Sequence, residues 1–361
     1  MADDSKNPAL LLRHADDLAR LPIDSEERAS LQRAAQTYNV RAPRPYLQRV
    51  RWDDPRDPVR LQIIPSADEL DWDPREQEDP IGDEARSPVP RLTHRYPDRV
   101  LLYPTYQCAV YCRHCFRKES LSDAGDQFAE DSLEPALAYI AAHTEIREVI
   151  LSGGDPLVLS NARLAWLRAR VESIPHVRML RVHTRVPVVT PTRVTSEMVS
   201  ALKGRLMVCV VTHFNHAQEI TEETVVAART LREAGFMLLN QTVLLRGVND
   251  TPEALRELFR ELVYALGIKP YYLHHCDLTR GLTHFRTRIE DGHALMRELR
   301  GHVSGLCAPL YVLDLPGGAG KIPLGPSYTI EHHGYDWVFR DFRGASHSYT
   351  EVVRENPPER G

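Results

Sequence analysis

The stretch Val149-Ile-Leu-Ser-Gly-Gly-Asp-Pro156 places a short apolar run directly before a glycine turn, and similar runs recur along the chain. Segments of helical length separate these runs, and apolar strands that alternate with helices are typical of parallel βα units. Six strands are expected, at residues 100–103, 149–152, 178–183, 206–211, 237–243 and 269–274. Five helices are expected, at residues 133–146, 163–172, 221–234, 252–266 and 292–300.

The number of these units predicts the fold class. Six units in about 200 residues form a barrel or most of one, so we expect an α/β protein with a partial (β/α)6-type barrel and a site at the carboxyl ends of its strands. The alternative is an open, doubly wound sheet. That fold usually has a glycine-rich dinucleotide turn after its first strand, and this chain lacks one there.

Composition divides the chain into three parts. Residues 1–90 are expected to form an N-terminal arm, with short amphipathic helices over residues 8–38 followed by extended chain rich in Pro, Asp and Arg. Residues 91–305 are expected to form the barrel core. Residues 306–361 are expected to form a C-terminal segment with a glycine-lysine motif and a short, disordered tail over residues 355–361.

The overall composition excludes several classes of protein. The 361 residues include 45 Lys and Arg against 50 Asp and Glu, and the resulting formal net charge of -5 argues against nucleic-acid binding. No apolar run reaches the roughly 20 residues of a membrane helix, and the N-terminus lacks the pattern of a secretion signal. Six cysteines are too few for a disulfide scaffold, and free thiols indicate the cytoplasm.

Three of the cysteines, Cys108, Cys112 and Cys115, lie close together just beyond the first strand. Three thiolates can bind three irons of a four-iron, four-sulfur (4Fe-4S) cluster and leave the fourth iron open to another ligand. One alternative is a zinc site completed by His114 or a distant cysteine, although zinc sites usually combine two Cys-x2-Cys pairs. Another alternative is three unrelated buried cysteines, which would rarely alternate with charged residues such as Arg113.

Two further motifs allow different interpretations. The turn of Ser152, Gly153, Gly154 and Asp155 can offer backbone carbonyls and a carboxylate to an ammonium group, or it can simply join a strand to a helix. Lys321 follows a glycine run, but a Walker phosphate loop is excluded because no Ser or Thr follows the lysine. Its amine can form an imine with pyridoxal phosphate, or it can be an exposed lysine in a turn.

The spacing Cys-x3-Cys-x2-Cys, with Tyr111 and Phe116 beside the later cysteines, resembles that of radical S-adenosylmethionine (SAM) enzymes. Five longer motifs resemble the lysine 2,3-aminomutase family of that superfamily, and they span most of residues 40–330. These motifs are Pro88-Val-Pro-Arg-Leu-Thr-His-Arg-Tyr-Pro-Asp-Arg-Val100, Ser152-Gly-Gly-Asp-Pro-Leu157, Thr212-His-Phe-Asn-His216, Asn240-Gln-Thr-Val-Leu-Leu-Arg-Gly-Val-Asn-Asp250 and Pro316-Gly-Gly-Ala-Gly-Lys-Ile-Pro323. The resemblance implies a radical SAM barrel with a C-terminal extension that carries the lysine for pyridoxal phosphate (PLP).

The resemblance also implies roles for the residues that match the family motifs. It assigns the three clustered cysteines to the 4Fe-4S cluster and Lys321 to the covalent bond with PLP. The turn from Ser152 to Asp155 would hold the amino group of SAM. The other implied cofactor-binding residues are His213 and Gln241 for SAM, and Arg95, Tyr96 and Arg99 for the phosphate and ring of PLP.

Three more positions imply a basic amino acid as the substrate. Arg117 matches the residue that pairs with the substrate carboxylate, and Asp277 and Asp314 match the residues that bind the distant amine of lysine. Taken alone, the two acids can instead cap a helix and form a turn. A relative specific for glutamate should carry a basic or neutral group in place of these acids, and this chain keeps both.

These correspondences imply an isomerase that moves an amino group between Cα and Cβ and converts L-lysine to β-lysine. The alternatives are an aminomutase for glutamate or arginine, a lysine mutase that serves elongation factor P modification, a radical SAM enzyme that modifies RNA or protein, and a non-catalytic metal-binding barrel. The expected partners are L-lysine, an electron donor such as flavodoxin or ferredoxin, and further copies of the chain in a homo-oligomer. No nucleic acid and no membrane are expected as partners.

One feature of the family is not matched by this chain. Relatives can carry a structural zinc bound by a cysteine after the segment that ends at Asp250 and by a C-terminal cysteine cluster. This chain has Thr251 at the first position and no cysteine after Cys307. We therefore expect no structural zinc.

Overall fold

The computed structural model describes Leu12, residues 14–119 and residues 129–353. The strands in this part of the chain are β1 (Leu92–Tyr96), β2 (Arg99–Thr105), β3 (Glu148–Gly153), β4 (Met179–His183), β5 (Met207–Thr212), β6 (Met237–Val243), β7 (Lys269–His274), β8 (Leu310–Leu315), β9 (Gly320–Pro323), β10 (Thr329–His333), β11 (Asp336–Arg340) and β12 (Ser346–Thr350). The α-helices are α1 (Ser25–Thr37), α2 (Arg44–Leu47), α3 (Pro58–Ile63), α4 (Glu134–Ala142), α5 (Asn161–Glu172), α6 (Val186–Val189), α7 (Ser196–Leu202), α8 (Glu222–Glu233), α9 (Pro252–Tyr264) and α10 (Ile289–Leu299). Short 3-10 helices occupy several of the connections.

Strands β1 to β9 form one sheet in which each strand pairs with the next along the chain. Strands β2 to β8 are parallel, whereas β1 and β9 pair antiparallel with the two ends of this set. The edges of the curved sheet nearly meet, because the backbone N–H of Lys321 on β9 donates to Tyr96 Oη on β1 at 2.7 Å. The predicted α/β fold with a partial barrel is therefore confirmed. The sequential strand order excludes the doubly wound alternative, in which the order reverses.

The six predicted strands correspond to β2 through β7, but the prediction was one parallel strand short, because β8 also pairs parallel with β7. Both β8 and β9 lie in the segment 306–361, so the barrel sheet continues beyond residue 305. The apolar run of β8 is interrupted by Asp314, and this acid lines the interior cavity of the barrel.

Helices cover the outside of the barrel, as the alternating pattern predicts. The five predicted helices are α4, α5, α8, α9 and α10, with their ends shifted by a few residues. Helix α9 begins after Thr251, whose side chain caps it by accepting from the backbone N–H of Ala254. Its buried residues recur with the spacing of a helix that packs on a core: Leu255, Leu258, Phe259 and Leu262.

The connection between β4 and β5 contains two short helices, α6 and α7, that were not predicted. Pro187 lies near the start of α6, and Pro191 follows that helix closely. Because proline interrupts helical hydrogen bonding, this connection has no long periodic stretch from which a helix is predicted.

The alternation of side chains along a strand separates the core from the cavity. In β4, Leu180 and Val182 are fully buried in the main hydrophobic core. Arg181 and His183, which point the other way, line the cavity inside the barrel. Polar residues at these alternate positions therefore mark the interior of the barrel.

The N-terminal arm packs against the barrel of its own chain. Its described helices begin with a 3-10 turn (Ala15–Arg20) and α1, and the predicted helical residues 8–11 and 13 lie outside the described residues. Leu18, Tyr46 and Ile63 from the arm belong to the same buried cluster as the barrel strands. The arm therefore shares the hydrophobic core of the barrel.

The C-terminal part of the described chain forms a second, three-stranded antiparallel sheet of β10, β11 and β12. Most of its residues are exposed. The predicted disordered tail, residues 355–361, lies outside the described residues. None of the helices in the described residues combines the length and the apolar character that crossing a membrane requires.

Candidate active site

A cavity of about 520 Å³ lies inside the barrel at the carboxyl ends of the strands. All sixteen residues predicted for the site line this cavity: Arg95, Tyr96, Arg99, Cys108, Cys112, Cys115, Arg117, Ser152, Gly153, Gly154, Asp155, His213, Gln241, Asp277, Asp314 and Lys321. The cysteine cluster and the glycine-borne lysine, which are more than 200 residues apart in the chain, therefore face the same enclosed space.

The loop that carries the three cysteines follows β2 and is held by the N-terminal arm. The carbonyl of Arg41 accepts from the backbone N–H of Tyr111, and the carbonyl of Gln62 accepts from that of Arg113, at 2.9 and 2.8 Å. The Arg113 guanidinium forms a buried pair with Glu69, at 2.9 and 2.5 Å. Sequence reasoning missed this support, because the partners lie about 40 to 75 residues before the cysteines.

The three thiols are partly buried and line the same cavity. Burial and the nearby charges of Asp155 and the other two cysteines raise the pKa of Cys108 well above its usual value. Burial and the neighbouring Cys112 raise the pKa of Cys115 to about 11. Thiolates in this position need a compensating positive charge, which a metal cluster supplies.

The described residues contain no group of three His, Cys, Asp or Glu side chains arranged around a single metal ion. A 4Fe-4S cluster does not require such an arrangement, because each sulfur binds a different iron. The three partly buried cysteines that line the cavity therefore match the donor set of a cluster, in which three sulfurs bind three different irons.

The glycine turn after β3 contacts the cysteine loop directly. A side-chain Cβ on Gly154 would lie 2.2 Å from the carbonyl oxygen of Gln107, and Gly153 has a φ of +96°, which favours glycine. The Gly154 N–H donates to the Thr105 carbonyl, and the Asp155 N–H donates to the Gln107 carbonyl. The turn therefore lies next to the cysteines only because these two positions lack side chains.

Both carboxylate oxygens of Asp155 accept hydrogen bonds from within the protein. One oxygen accepts from the Leu157 N–H and the Thr184 hydroxyl, and the other accepts from the N–H groups of Arg185 and Val186. Asp155 thus connects the glycine turn to the end of β4. The carbonyls of the turn are left as the predicted acceptors for an ammonium group.

Four polar residues at the ends of neighbouring strands form one wall of the cavity: His183 on β4, His213 after β5, Gln241 on β6 and His274 on β7. Within the described residues, Nε2 of each of the three histidines is buried without a hydrogen-bond partner. Burial lowers the pKa of all three, so they are neutral near pH 7 and suited to bind a ligand. His183 and His274 were missed from the sequence, although each is the last inward-facing residue of a strand.

Lys321 lies on β9 directly opposite Asp314 on β8. Its Nζ contacts both carboxylate oxygens of Asp314, at 2.6 and 2.7 Å. Burial alone would raise the pKa of Asp314, but the hydrogen bond from His274 and the charge of Lys321 outweigh it and hold this pKa well below its usual range. Asp314 is therefore ionised and pairs with the amine of Lys321.

Asp277 faces the same cavity from the loop after β7. Burial, together with the charge of nearby Asp314, raises the pKa of Asp277 to about 7. Its Oδ1 is buried without a hydrogen-bond partner in the described part of the chain. Lys321 thus neutralises the carboxylate of Asp314, whereas the described residues supply no ion-pair partner for Asp277.

The structure adds one acid that sequence reasoning missed. Asp83, in the N-terminal arm, accepts from Arg95 at 2.7 Å and from Arg117 at 2.5 Å. Arg99 pairs with Asp98 at 2.6 Å and lies over the Tyr96 ring. The arginines predicted to bind anions are thus already organised around carboxylates.

Comparisons with known proteins agree with this arrangement. The Radical SAM superfamily model matches residues 102–261, and the Lysine-2,3-aminomutase family model matches residues 296–358. L-lysine 2,3-aminomutase of Clostridium subterminale is 42% identical over 337 residues, which cover 93% of this chain and 81% of that protein. Glutamate 2,3-aminomutase of Clostridioides difficile is 39% identical over 293 residues, which cover 81% of this chain and 69% of that protein.

A solved radical SAM methyltransferase from Sphaerobacter thermophilus aligns with a TM-score of 0.43 and 19% identity, over 62% of this chain and 68% of that chain. The sequence relatives, in contrast, match nearly the whole chain, and those named L-lysine 2,3-aminomutase are isomerases. The chain therefore belongs to the lysine 2,3-aminomutase family of the radical SAM superfamily and is an isomerase.

Proposed function

We propose that this enzyme converts L-lysine to β-lysine with a 4Fe-4S cluster, SAM and PLP. The observation that carries the proposal is that the cysteine trio, Lys321 and two acids line one cavity inside the barrel. When bound, the cluster and SAM would supply a radical that abstracts hydrogen, and PLP would supply a π-system that delocalises the unpaired electron during the amino migration. Both kinds of chemistry act on one substrate, so the residues that bind the two sets of cofactors must line one cavity.

The chain's own residues keep the cysteine loop and the SAM-binding wall together. The arm anchors the loop through Gln62 and Glu69, and Gly154 lets the SAM-binding turn lie against it. His213 and Gln241 are proposed to contact SAM from the ends of β5 and β6. Once cofactors and substrate fill the cavity, its walls would keep water away from the reacting atoms and protect a radical from side reactions.

Lys321 is proposed to bind PLP covalently. Its ammonium must lose a proton before its nitrogen can attack a carbonyl. Its Nζ contacts the carboxylate of Asp314, and the neutral imidazole of His274 lies 3.4 Å from that carboxylate. Arg95, Arg99 and Tyr96 lie beside this lysine and are proposed to bind the phosphate and ring of PLP. Arg117 is proposed to bind the carboxylate of the substrate.

The two acids favour a substrate with a distal ammonium group. Asp314 is ionised, and Asp277 has a buried carboxylate oxygen for which the described segments of the chain supply no partner. The ε-ammonium of lysine would supply the missing positive charge, whereas the side-chain carboxylate of glutamate would be repelled at this place. The charges therefore favour lysine over glutamate, even though a glutamate-specific relative is 39% identical.

The decisive experiment incubates the anaerobically reconstituted enzyme with SAM, PLP and L-lysine, with L-glutamate and L-arginine in parallel reactions. Dithionite supplies the electron, and a flavodoxin or ferredoxin system replaces it in a second series. We expect β-lysine, identified by mass and retention time, and no isomer of the other two amino acids. A fully loaded enzyme that leaves lysine unchanged would refute the proposal, and β-glutamate as the product would identify the alternative substrate.

A pair of cysteine variants tests the cluster assignment. Cys112→Ala should lose iron and all turnover, because it removes one of the three proposed ligands. Cys209→Ala, which changes a buried cysteine of the core, should keep both. Borohydride reduction followed by peptide mapping tests the other cofactor, and the expected pyridoxyl adduct lies on Lys321.

A further inference from the structure

Arg185 follows β4 and reaches the cysteine loop, although none of the sequence motifs discussed above includes it. Its Nη1 lies 2.6 Å from Cys112 Sγ. The side chain is only 6% exposed, so this contact is formed away from bulk water. A buried guanidinium in direct contact with a sulfur that is proposed to bind iron needs a structural explanation.

The other end of the guanidinium is fixed by a network that involves the N-terminal arm. Its Nη2 contacts Tyr46 Oη at 2.7 Å, Gln62 Oε1 at 2.6 Å and Glu219 Oε1 at 2.7 Å. Tyr46 in turn donates to Glu219, and all three partners are fully buried. These contacts leave the guanidinium little freedom to move away from the sulfur.

The backbone of Arg185 is fixed as well. Its N–H donates at 2.6 Å to Asp155, the carboxylate that holds the glycine turn. Arg185 therefore joins three parts of the proposed radical centre: the cysteine loop, the glycine turn and the arm. Apart from the partly buried Cys112, the residues that supply these contacts are nearly or fully buried.

We propose that Arg185 is a positioning residue that donates to the sulfur of Cys112 and, with Glu219 as its counter-charge, sets the reduction potential of the 4Fe-4S cluster. This inference rests on the proposed function, because it takes Cys112 as a cluster ligand. Hydrogen bonds to the cysteine sulfurs and the charge near a cluster set its potential. A cation next to the sulfur stabilises the reduced cluster and raises its reduction potential. An anion next to that cation has the opposite effect on the potential.

The opposite charges of Arg185 and Glu219 predict opposite effects on the potential. Arg185→Met removes the positive charge and the hydrogen bond, so the midpoint potential should become more negative. Glu219→Gln removes the negative charge and leaves the arginine uncompensated, so the potential should become more positive. Arg185→Lys keeps the positive charge but loses the planar guanidinium with its several N–H donors. Its midpoint potential should therefore lie between those of the wild type and Arg185→Met.

Tyr46→Phe is the matched control. It removes one hydroxyl from the same network, but it changes no charge and touches no cysteine sulfur. Its potential should stay near that of wild type. If Arg185 only stabilises the fold, Tyr46→Phe and Arg185→Met should have the same midpoint potential.

The experiment is an anaerobic redox titration of each reconstituted full-length protein, followed by the electron paramagnetic resonance signal of the reduced cluster. Iron and sulfide contents are measured first. A wild-type protein that holds no four-iron cluster would overturn the proposed function. Normal clusters whose potentials do not differ between wild type, Arg185→Met and Glu219→Gln would overturn only the role of Arg185. If Arg185→Met assembles no cluster, Arg185→Lys and Glu219→Gln still decide the question by the direction of their shifts.

Discussion

Replacing Asp277 with asparagine should remove most of the enzyme's discrimination in favour of lysine. The substitution keeps the size of the side chain but abolishes its charge. Asp277 lines the cavity and has a buried carboxylate oxygen, Oδ1, without a protein partner in the described residues. We therefore expect it to pair with the ε-ammonium of the substrate.

The magnitude follows from the burial of the pair. Removing one partner of a buried ion pair costs about 3–5 kcal/mol, and about 1.4 kcal/mol corresponds to a tenfold change. This range corresponds to roughly two to four orders of magnitude in kcat/KM for lysine. Because Asp314 remains ionised beside the same ammonium, we expect a loss near the lower end, about 10²-fold.

The pKa of Asp277 also predicts how kcat/KM for lysine changes with pH. The pKa of Asp277 is raised to about 7, so without substrate this carboxyl is largely protonated below pH 7 and ionised above it. In the wild type, kcat/KM for lysine should rise with pH up to about 7 and then level off, with about a tenfold gain between pH 6 and pH 8 from this group. Asp277→Asn should lack this step.

The same shift has a consequence for stability. A carboxyl whose pKa is about 4 in the unfolded chain and about 7 in the folded chain binds more protons in the folded state between these values. Its contribution to stability is therefore fully present below about pH 4 and is lost as the pH rises through about 7. Thermal unfolding of the ligand-free protein should show a smaller decline in stability over this range for Asp277→Asn than for the wild type.

L-norleucine separates the role of this charge from a general disturbance of the site. It has the carbon chain of lysine without the ε-ammonium, and its inhibition constant against lysine turnover measures binding of the rest of the molecule. Asp277→Asn should bind norleucine as well as the wild type or better. Equal losses for lysine and norleucine, or an unchanged kcat/KM for lysine, would refute the assignment of Asp277 to the ammonium.

The remaining predictions concern the lysine, the glycine turn and the support of the cysteine loop. Lys321→Ala should give no pyridoxyl adduct after borohydride reduction and should keep its iron content, measured by peptide mass and iron analysis; an adduct at another lysine would contradict the assignment. Gly154→Ala should lower turnover by roughly 10²-fold, because its Cβ would force the turn away from the Gln107 carbonyl, whereas Gly305→Ala, whose Cβ meets open space, should match the wild type. Glu69→Gln should destabilise the protein by about 3–5 kcal/mol in urea unfolding, because it leaves the buried charge of Arg113 without its partner; an unchanged midpoint would show that the pair contributes no net stability.

Local sequence patterns were sufficient to predict the barrel. Apolar runs such as residues 149–152 and 206–211 predicted parallel strands, because a strand covered on both faces must be apolar along its length. The cysteine spacing and the glycine-lysine motif each allowed a cofactor site among other interpretations, and the resemblance to the aminomutase family implied the 4Fe-4S cluster and PLP. The strand β8 was missed, because a glycine turn and the antiparallel β9 follow it in place of the helix that marks the other units.

Contacts between distant segments could be found only in the folded chain. Asp83 bridges Arg95 and Arg117, and Arg185 connects Cys112 to Glu219, although nothing in their local sequence indicates a partner. Such pairs form when strands and loops that are far apart in the chain meet at one end of a barrel. The burial and the pKa shifts of these residues depend on such contacts, so the electrostatics of the site are a property of the tertiary structure. The residue types able to perform the chemistry, in contrast, can be identified from the sequence itself.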